Sequence, residues 1–153
     1  MLQFARGDLI KNVKQGVIMH SCNCFWVMGA GFALQLKNTY PKNFEHYKKY
    51  CDRVHGLDPA SLLGEMLITR ENNVTIINAF GQVGTGGRRA TSYDALDKIF
   101  YDIYHKHPEK TDWNNHIHMP QIGCGLGGAN WSVVEQIILT HLPEDKDITV
   151  WTL

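Results

Sequence analysis

Hydrophobic positions along the chain follow two spacings. Short apolar runs bounded by polar or glycine-rich stretches occur at Leu2–Ala5, Val17–Met19, Gly64–Thr69, Val74–Phe80, Ile117–Ile122 and Ile148–Leu153. Their length and branched side chains predict strands. Between them, apolar residues recur with the period of one helix face. Ala33, Leu36 and Tyr40 form one stripe, closed by Pro41, and Phe44, Tyr47, Cys51 and Val54 form the next, broken at His55–Pro59. Leu96, Ile99, Phe100 and Ile103 predict a further helix ending in His105, Lys106 and His107 before Pro108. Val134, Ile137 and Ile138 predict the last helix, with Ser132-Val133-Val134-Glu135 as the capping box that opens it. The polar turn Arg70-Glu71-Asn72-Asn73 joins two strands as a hairpin, and residues 108–115 read as a polar linker. Helices that follow strands repeatedly predict an α/β sandwich, a mixed and mostly parallel sheet with helices on both faces.

With 153 residues, 44% of them hydrophobic, and no low-complexity break, the chain reads as one domain, residues 1–153. Fifteen basic residues balance fifteen acidic ones, so the overall charge points to neither nucleic acid nor membrane, while a local basic patch stays compatible with it. No apolar run approaches the roughly 18 residues of a membrane span, and the N-terminal residues lack a signal-peptide pattern. A cytoplasmic protein is expected. Cys22, Cys24, Cys51 and Cys124 sit in core-like sequence and read as thiols. In an extended strand His20, Cys22 and Cys24 share a face, yet no CxxC or HExxH pattern accompanies them, so core thiols are expected and no metal or cofactor.

Glycine-rich loops supply the candidate chemistry. Gly123-Cys124-Gly125-Leu126-Gly127-Gly128 follows a predicted strand and precedes a predicted helix, and Met28-Gly29-Ala30-Gly31-Phe32 repeats that arrangement. Such junctions allow a tight turn, and they also let main-chain N–H groups converge on phosphate. Two of them suggest a ligand with two phosphates. A third loop, Gly81–Arg89, ends in Arg88 and Arg89, which either meet phosphate oxygens or stay solvated. Asp8 either orders its own turn or accepts from a ligand amine. His20 and Asn23 fall at a predicted strand end, so one cleft should gather these groups.

The chain resembles the macro domains, a family that binds ADP-ribose. The similarity covers essentially its whole length and rests on Gly7-Asp8-Leu9-Ile10, Asn23, Met28-Gly29-Ala30-Gly31-Phe32-Ala33 and Pro120–Gly128, in the family's order. The resemblance implies a three-layer α/β/α sandwich with a mixed, mostly parallel central sheet. It further implies that Asp8, with Gly7 and Leu9 beside it, meets the adenine amino group, and that Ile10 and Phe80 line the adenine pocket. Gln82 joins the ligand contacts, Asn23 faces the distal ribose, and main chain at Gly29, Ala30, Gly31 and Phe32 and at Gly123, Cys124, Gly125, Leu126 and Gly127 surrounds the diphosphate.

Within the family, DNA ADP-ribosyl glycohydrolases and glutamate-ADP-ribose hydrolases are associated with a lysine near the loop after the Val74–Phe80 strand. The glutamate hydrolases add an aspartate in the last glycine loop. Here Asn78-Ala79-Phe80-Gly81-Gln82 has no lysine, and Gly127 stands where the aspartate would. His20-Ser21-Cys22-Asn23-Cys24 and Thr149–Leu153 are similar to the yeast-type ADP-ribose-1''-phosphate phosphatases, in which a histidine at the position of His20 is implicated in the chemistry. The resemblance therefore implies removal of the terminal phosphate, with His20 and Asn23 catalytic. Two alternatives remain open: an ADP-ribosyl hydrolase acting on protein, DNA or O-acetyl-ADP-ribose, and a non-catalytic ADP-ribose reader whose partners are ADP-ribosylated protein or nucleic acid.

Overall fold

The computed structural model describes residues 1–25, 28–29, 31–54, 58–84, 90–106, 112–125 and 127–153. Strands β1 (Leu2–Arg6), β2 (Gly16–Cys22), β3 (Met66–Glu71), β4 (Val74–Phe80), β5 (His116–Pro120) and β6 (Asp147–Thr152) form one six-stranded sheet in the order β1-β6-β5-β2-β4-β3. Only β3 runs antiparallel, paired with β4. The other neighbours pair in parallel, which the intervening helices require.

Those helices are α1 (Leu9–Asn12), α2 (Gly31–Thr39), α3 (Pro41–Asp52), α4 (Tyr93–His105) and α5 (Trp131–His141). Alternation along the strands decides which layer each side chain enters. Met19, Ile77, Met119 and Val150 pack with Leu96, Phe100 and Ile103 of α4 and Val134 and Ile138 of α5. On the other face Ile18 and Ile76 meet Leu9, Ile10 and Leu36 of α1 and α2. Tyr47 and Cys51 of α3 pack with Cys22 and Phe80 on that same face. The sheet is covered on both sides, so its inner strands read as nearly continuous apolar runs. The result is the expected three-layer α/β/α sandwich with a mixed, mostly parallel sheet.

Several boundaries differ from the sequence expectation. The capping box at Ser132 does not form. Asn130 caps α5, its Oδ1 accepting from the Ser132 N–H at 3.0 Å and from the Ser132 hydroxyl at 2.8 Å. The Ser132 hydroxyl is thereby a donor to the cap. β5 stops at Pro120, and Gly123, at φ +75°, lies in the turn beyond it. β3 begins at Met66, after Gly64 turns at φ +85°. The hairpin turn forms as expected, with Asn72 and Asn73 both in the left-handed region that asparagine tolerates. The one-turn helix α1 had no periodic signal. Asp8 makes it, capping the Lys11 N–H at 3.1 Å. Part of the expected linker, residues 107–111, lies outside the described residues; Asp112–Asn114 forms a 3-10 turn.

Candidate functional site

The carboxyl ends of β2, β4 and β5 open onto a cleft of about 720 Å³. His20, Ser21, Cys22 and Asn23 bring β2 to it, Gly29, Gly31, Phe32 and Ala33 the entry to α2, and Gln82 the segment after β4. Pro120, Gln121 and Ile122 lead from β5 into Gly123, Gly125 and Gly127, which complete the wall. The two glycine loops and the His20–Asn23 strand end are thus brought together. Ala30 and Leu126, and with them Arg88 and Arg89 of the third loop, lie outside the described residues.

His20 projects from β2 toward the α2–α3 layer and is 2% exposed. Its Nε2 lies 2.7 Å from Oδ1 of Asn78, its register partner on β4. Asn78 Nδ2 donates to Asn43 Oδ1 at 2.8 Å and to the Leu67 carbonyl at 3.0 Å, and Asn43 Nδ2 donates back at 3.1 Å. That network makes Asn78 Oδ1 an acceptor, so His20 Nε2 carries the proton and Nδ1 the lone pair. Nδ1 is buried without a hydrogen-bond partner among the described residues. Burial pushes the His20 pKa down to about 4, against the Asn78 bond, which raises it. The imidazole is therefore neutral near pH 7 and able to accept a proton.

Asn23 is held from behind. Its Oδ1 accepts from the Phe25 N–H at 2.9 Å and from the Tyr47 hydroxyl at 3.0 Å, which also reaches the Asn23 carbonyl at 2.8 Å. This orients the carboxamide at the cleft wall.

The last glycine loop is clamped by Thr91. The Thr91 hydroxyl donates to the Gly123 carbonyl at 2.9 Å, and the Ala90 and Thr91 N–H groups donate to the Gly127 carbonyl at 3.0 and 3.2 Å. Ala129 N–H also binds the Gly123 carbonyl, at 2.8 Å, and Gly128 N–H binds that of Gly125, at 3.1 Å. All three carbonyls are taken up inside the protein, as are the N–H groups of Cys124, Gly128 and Ala129. A Cβ at Gly127 would collide with the Thr91 hydroxyl and stand 2.7 Å from the Gly123 carbonyl, so an aspartate has no room there.

Other expected contacts fall elsewhere. Gly7, Asp8, Leu9 and Ile10 do not line the cleft; Leu9 and Ile10 are buried beneath α2, and Gly7, at φ +132°, forms the bend into α1. The Asp8 carboxylate accepts from Gln35 Nε2 at 3.0 and 2.9 Å, one distance for each oxygen. The Lys11 N–H first, and then Gln35, hold its pKa below the usual carboxylate value. Phe80 is fully buried, stacked on Tyr47 at 5.9 Å and Tyr50 at 5.5 Å, because β4 turns residues 76, 78 and 80 into the α3 layer. Cys124 also stays off the cleft wall, its Sγ lying 3.4 Å from the Ile122 carbonyl.

Sequence reasoning missed Thr91, Asn78, Asn43 and Gln35. An asparagine inside the apolar run Val74–Phe80 was a visible signal for Asn78, whereas nothing local marks the others. Cys22 and Cys24 bond to the Ala79 and Gln82 carbonyls, and burial pushes Cys24 up to about 12 and raises Cys22 well above the usual thiol value. Neither is a ready nucleophile. Among the described residues, no group of three or more His, Cys, Asp or Glu could hold a metal ion.

A family model described as Macro domain matches residues 19–138. A protein of the yeast Meyerozyma guilliermondii named ADP-ribose 1''-phosphate phosphatase is 25% identical over 164 residues, covering 92% of this chain and 93% of the relative. One from Mycobacterium tuberculosis named DNA ADP-ribosyl glycohydrolase is 26% identical over 152 residues, covering 97% of this chain and 40% of the relative. A solved structure of a protein of unknown function from Bacteroides thetaiotaomicron is similar over 100% of this chain and 98% of its own, with a TM-score of 0.83 at 28% identity.

Proposed function

The chain belongs to the macro domain family, and from that premise we propose that its cleft binds ADP-ribose and that it removes the terminal phosphate of ADP-ribose 1''-phosphate. The observation that carries the binding half is the last glycine loop. The carbonyls of Gly123, Gly125 and Gly127 are engaged by protein donors, which supports main-chain N–H groups of this loop meeting the diphosphate, together with Gly29, Gly31 and Phe32 at the entry to α2.

Hydrolysis is assigned to the His20 end. Water attacks phosphorus and gives a proton to His20 Nδ1, the bond from phosphorus to the ribose oxygen breaks, and His20 passes that proton to the departing oxygen, which restores the neutral imidazole. The products are ADP-ribose and inorganic phosphate. Asn23 orients the distal ribose, and the loop amides stabilise the charge that builds on the phosphoryl oxygens. Asp8 serves the base end by exchanging its Gln35 partner for the adenine amino group. A phosphatase among the relatives supports the reaction.

Release of ADP-ribose from modified DNA or protein is the second reading, favoured by the glycohydrolase relative. The lack of room for an aspartate at Gly127 weighs against the glutamate-hydrolase route. Parallel incubation with ADP-ribose 1''-phosphate, ADP-ribosylated protein and ADP-ribosylated DNA separates these readings. Phosphate release from the first that falls at least tenfold in His20→Ala supports the proposal; unchanged turnover in the variant removes His20 from the mechanism.

A further inference from the structure

A second concavity, of about 320 Å³, lies between α3 and the edge strand β3. Lys42, His46, Lys49 and Arg53 follow one another at intervals of four, three and four residues, so they form a single ridge along α3. All four are exposed. The ridge runs about 16 Å at 1.5 Å per residue. The neighbouring face of the helix carries the buried Asn43, Tyr47 and Cys51, while Glu45 and Asp52 fall roughly a quarter turn away on the other side.

Among the described residues lining the groove, none carries a carboxylate. The two acids of β3 and its approach are engaged: Glu65 accepts from the Tyr50 hydroxyl at 3.1 Å, and Glu71 is buried and accepts from the Asn43 N–H at 2.8 Å. Arg70 belongs to the edge strand, but its guanidinium turns toward Thr75 Oγ1, 3.4 Å away, and is left out of the ridge. The helix dipole accounts for cations in the last turn of α3, Lys49 and Arg53. It does not account for Lys42 in the first turn, where a cation is disfavoured and the turn holds no acid, the nearest on the helix being Glu45 three residues on. In a chain of balanced charge, Lys42, Lys49 and Arg53 set along one ridge of a helix call for an extended anion.

We infer that this groove binds the phosphodiester backbone of a single-stranded nucleic acid. Lys42, Lys49 and Arg53 along one ridge match a polymer charged at every residue, and the ridge is long enough to meet several successive phosphates. Planar groups lie beside it: the Arg53 guanidinium sits 5.7 Å from the Tyr50 ring centroid, and that ring is backed by Phe80. Bases stack on such surfaces without regard to sequence. The groove adjoins the cleft without merging into it. Tyr50 and Tyr47 both stack on Phe80, and the Tyr47 hydroxyl holds Asn23 in the cleft wall.

The test is fluorescence anisotropy of a labelled oligothymidylate of about twelve nucleotides titrated with the whole chain. With Lys42, Lys49 and Arg53 engaged, affinity falls about twentyfold between about 50 and 200 mM salt. The double variant Lys49→Glu/Arg53→Glu binds at least tenfold more weakly, while its melting temperature and its calorimetric affinity for ADP-ribose stay those of the unaltered chain. Saturating ADP-ribose leaves the oligonucleotide bound. Wild-type-like oligonucleotide binding by the double variant, or no anisotropy change with the unaltered chain, overturns the proposal. So does displacement by ADP-ribose, which would locate the oligonucleotide in the cleft, and so does equal competition by polyglutamate, which would make the groove a site for acidic polypeptides. Because the readout needs no turnover and no ADP-ribose, its failure is distinct from failure of the function proposed for the cleft.

Discussion

At the scale of single residues, the cleft depends on groups whose partners lie far along the chain. His20 is buried with its pKa pushed down from 6.5 to about 4. The unfolded chain therefore takes up a proton near pH 6.5 that the folded protein refuses until about pH 4. This contribution to stability is complete above the unfolded value and is lost as pH falls through that window. The loss is of the order of 3 kcal/mol, and His20→Asn should flatten the decline of melting temperature between pH 6.5 and 4. An unaltered slope would show that His20 is not the titrating group. Thr91→Val keeps the side-chain shape but strips the Gly123 carbonyl of its hydroxyl donor, so ADP-ribose binding should weaken roughly tenfold by calorimetry. Thr91→Ser, which retains the hydroxyl, should restore most of it. These residues explain what the sequence withheld. Asp8 was visible as a candidate carboxylate, but Gln35, which occupies both its oxygens, stands 27 positions away, and Thr91 is 32 positions from the carbonyl it holds.

At the scale of elements, periodicity carried the reading wherever one face of a helix or strand meets a core. Leu36 and Tyr40, Tyr47 and Cys51, Leu96, Ile99, Phe100 and Ile103, and Val134 and Ile138 are buried as expected, while Ala33, Phe44, Val54 and Ile137 at the margins of their stripes are partly buried. Ends were less legible, because they are decided by competition among adjacent polar residues. At α5 two candidates compete, and Asn130 takes the cap. Asn130→Ala should cost about 1 kcal/mol in urea unfolding. Ser132→Ala should cost clearly less, since its hydroxyl only donates to that cap; the reverse order would restore the capping box. Phe80, which the family resemblance places at the adenine pocket, is directed by the parity of β4 toward Tyr47 and Tyr50.

At the scale of the whole molecule, the sandwich turns separate stretches of sequence into one site. The parallel pairing of β2 with both β4 and β5 aligns their carboxyl ends, and the loops that leave them share a cleft. That convergence was legible, because strand followed by glycine followed by helix occurs twice in the sequence. The expected base end was less so, since Gly7–Ile10 stand apart from the cleft wall in this structure. The measurement that bears most directly on the account is a calorimetric titration of the chain with ADP-ribose, ADP, AMP and adenosine in parallel. Main-chain amides gathered around a diphosphate predict one site, bound comparably by ADP-ribose and ADP and at least tenfold more weakly by AMP and adenosine. Adenosine binding as tightly as ADP-ribose, or no heat with any of the four, would contradict it.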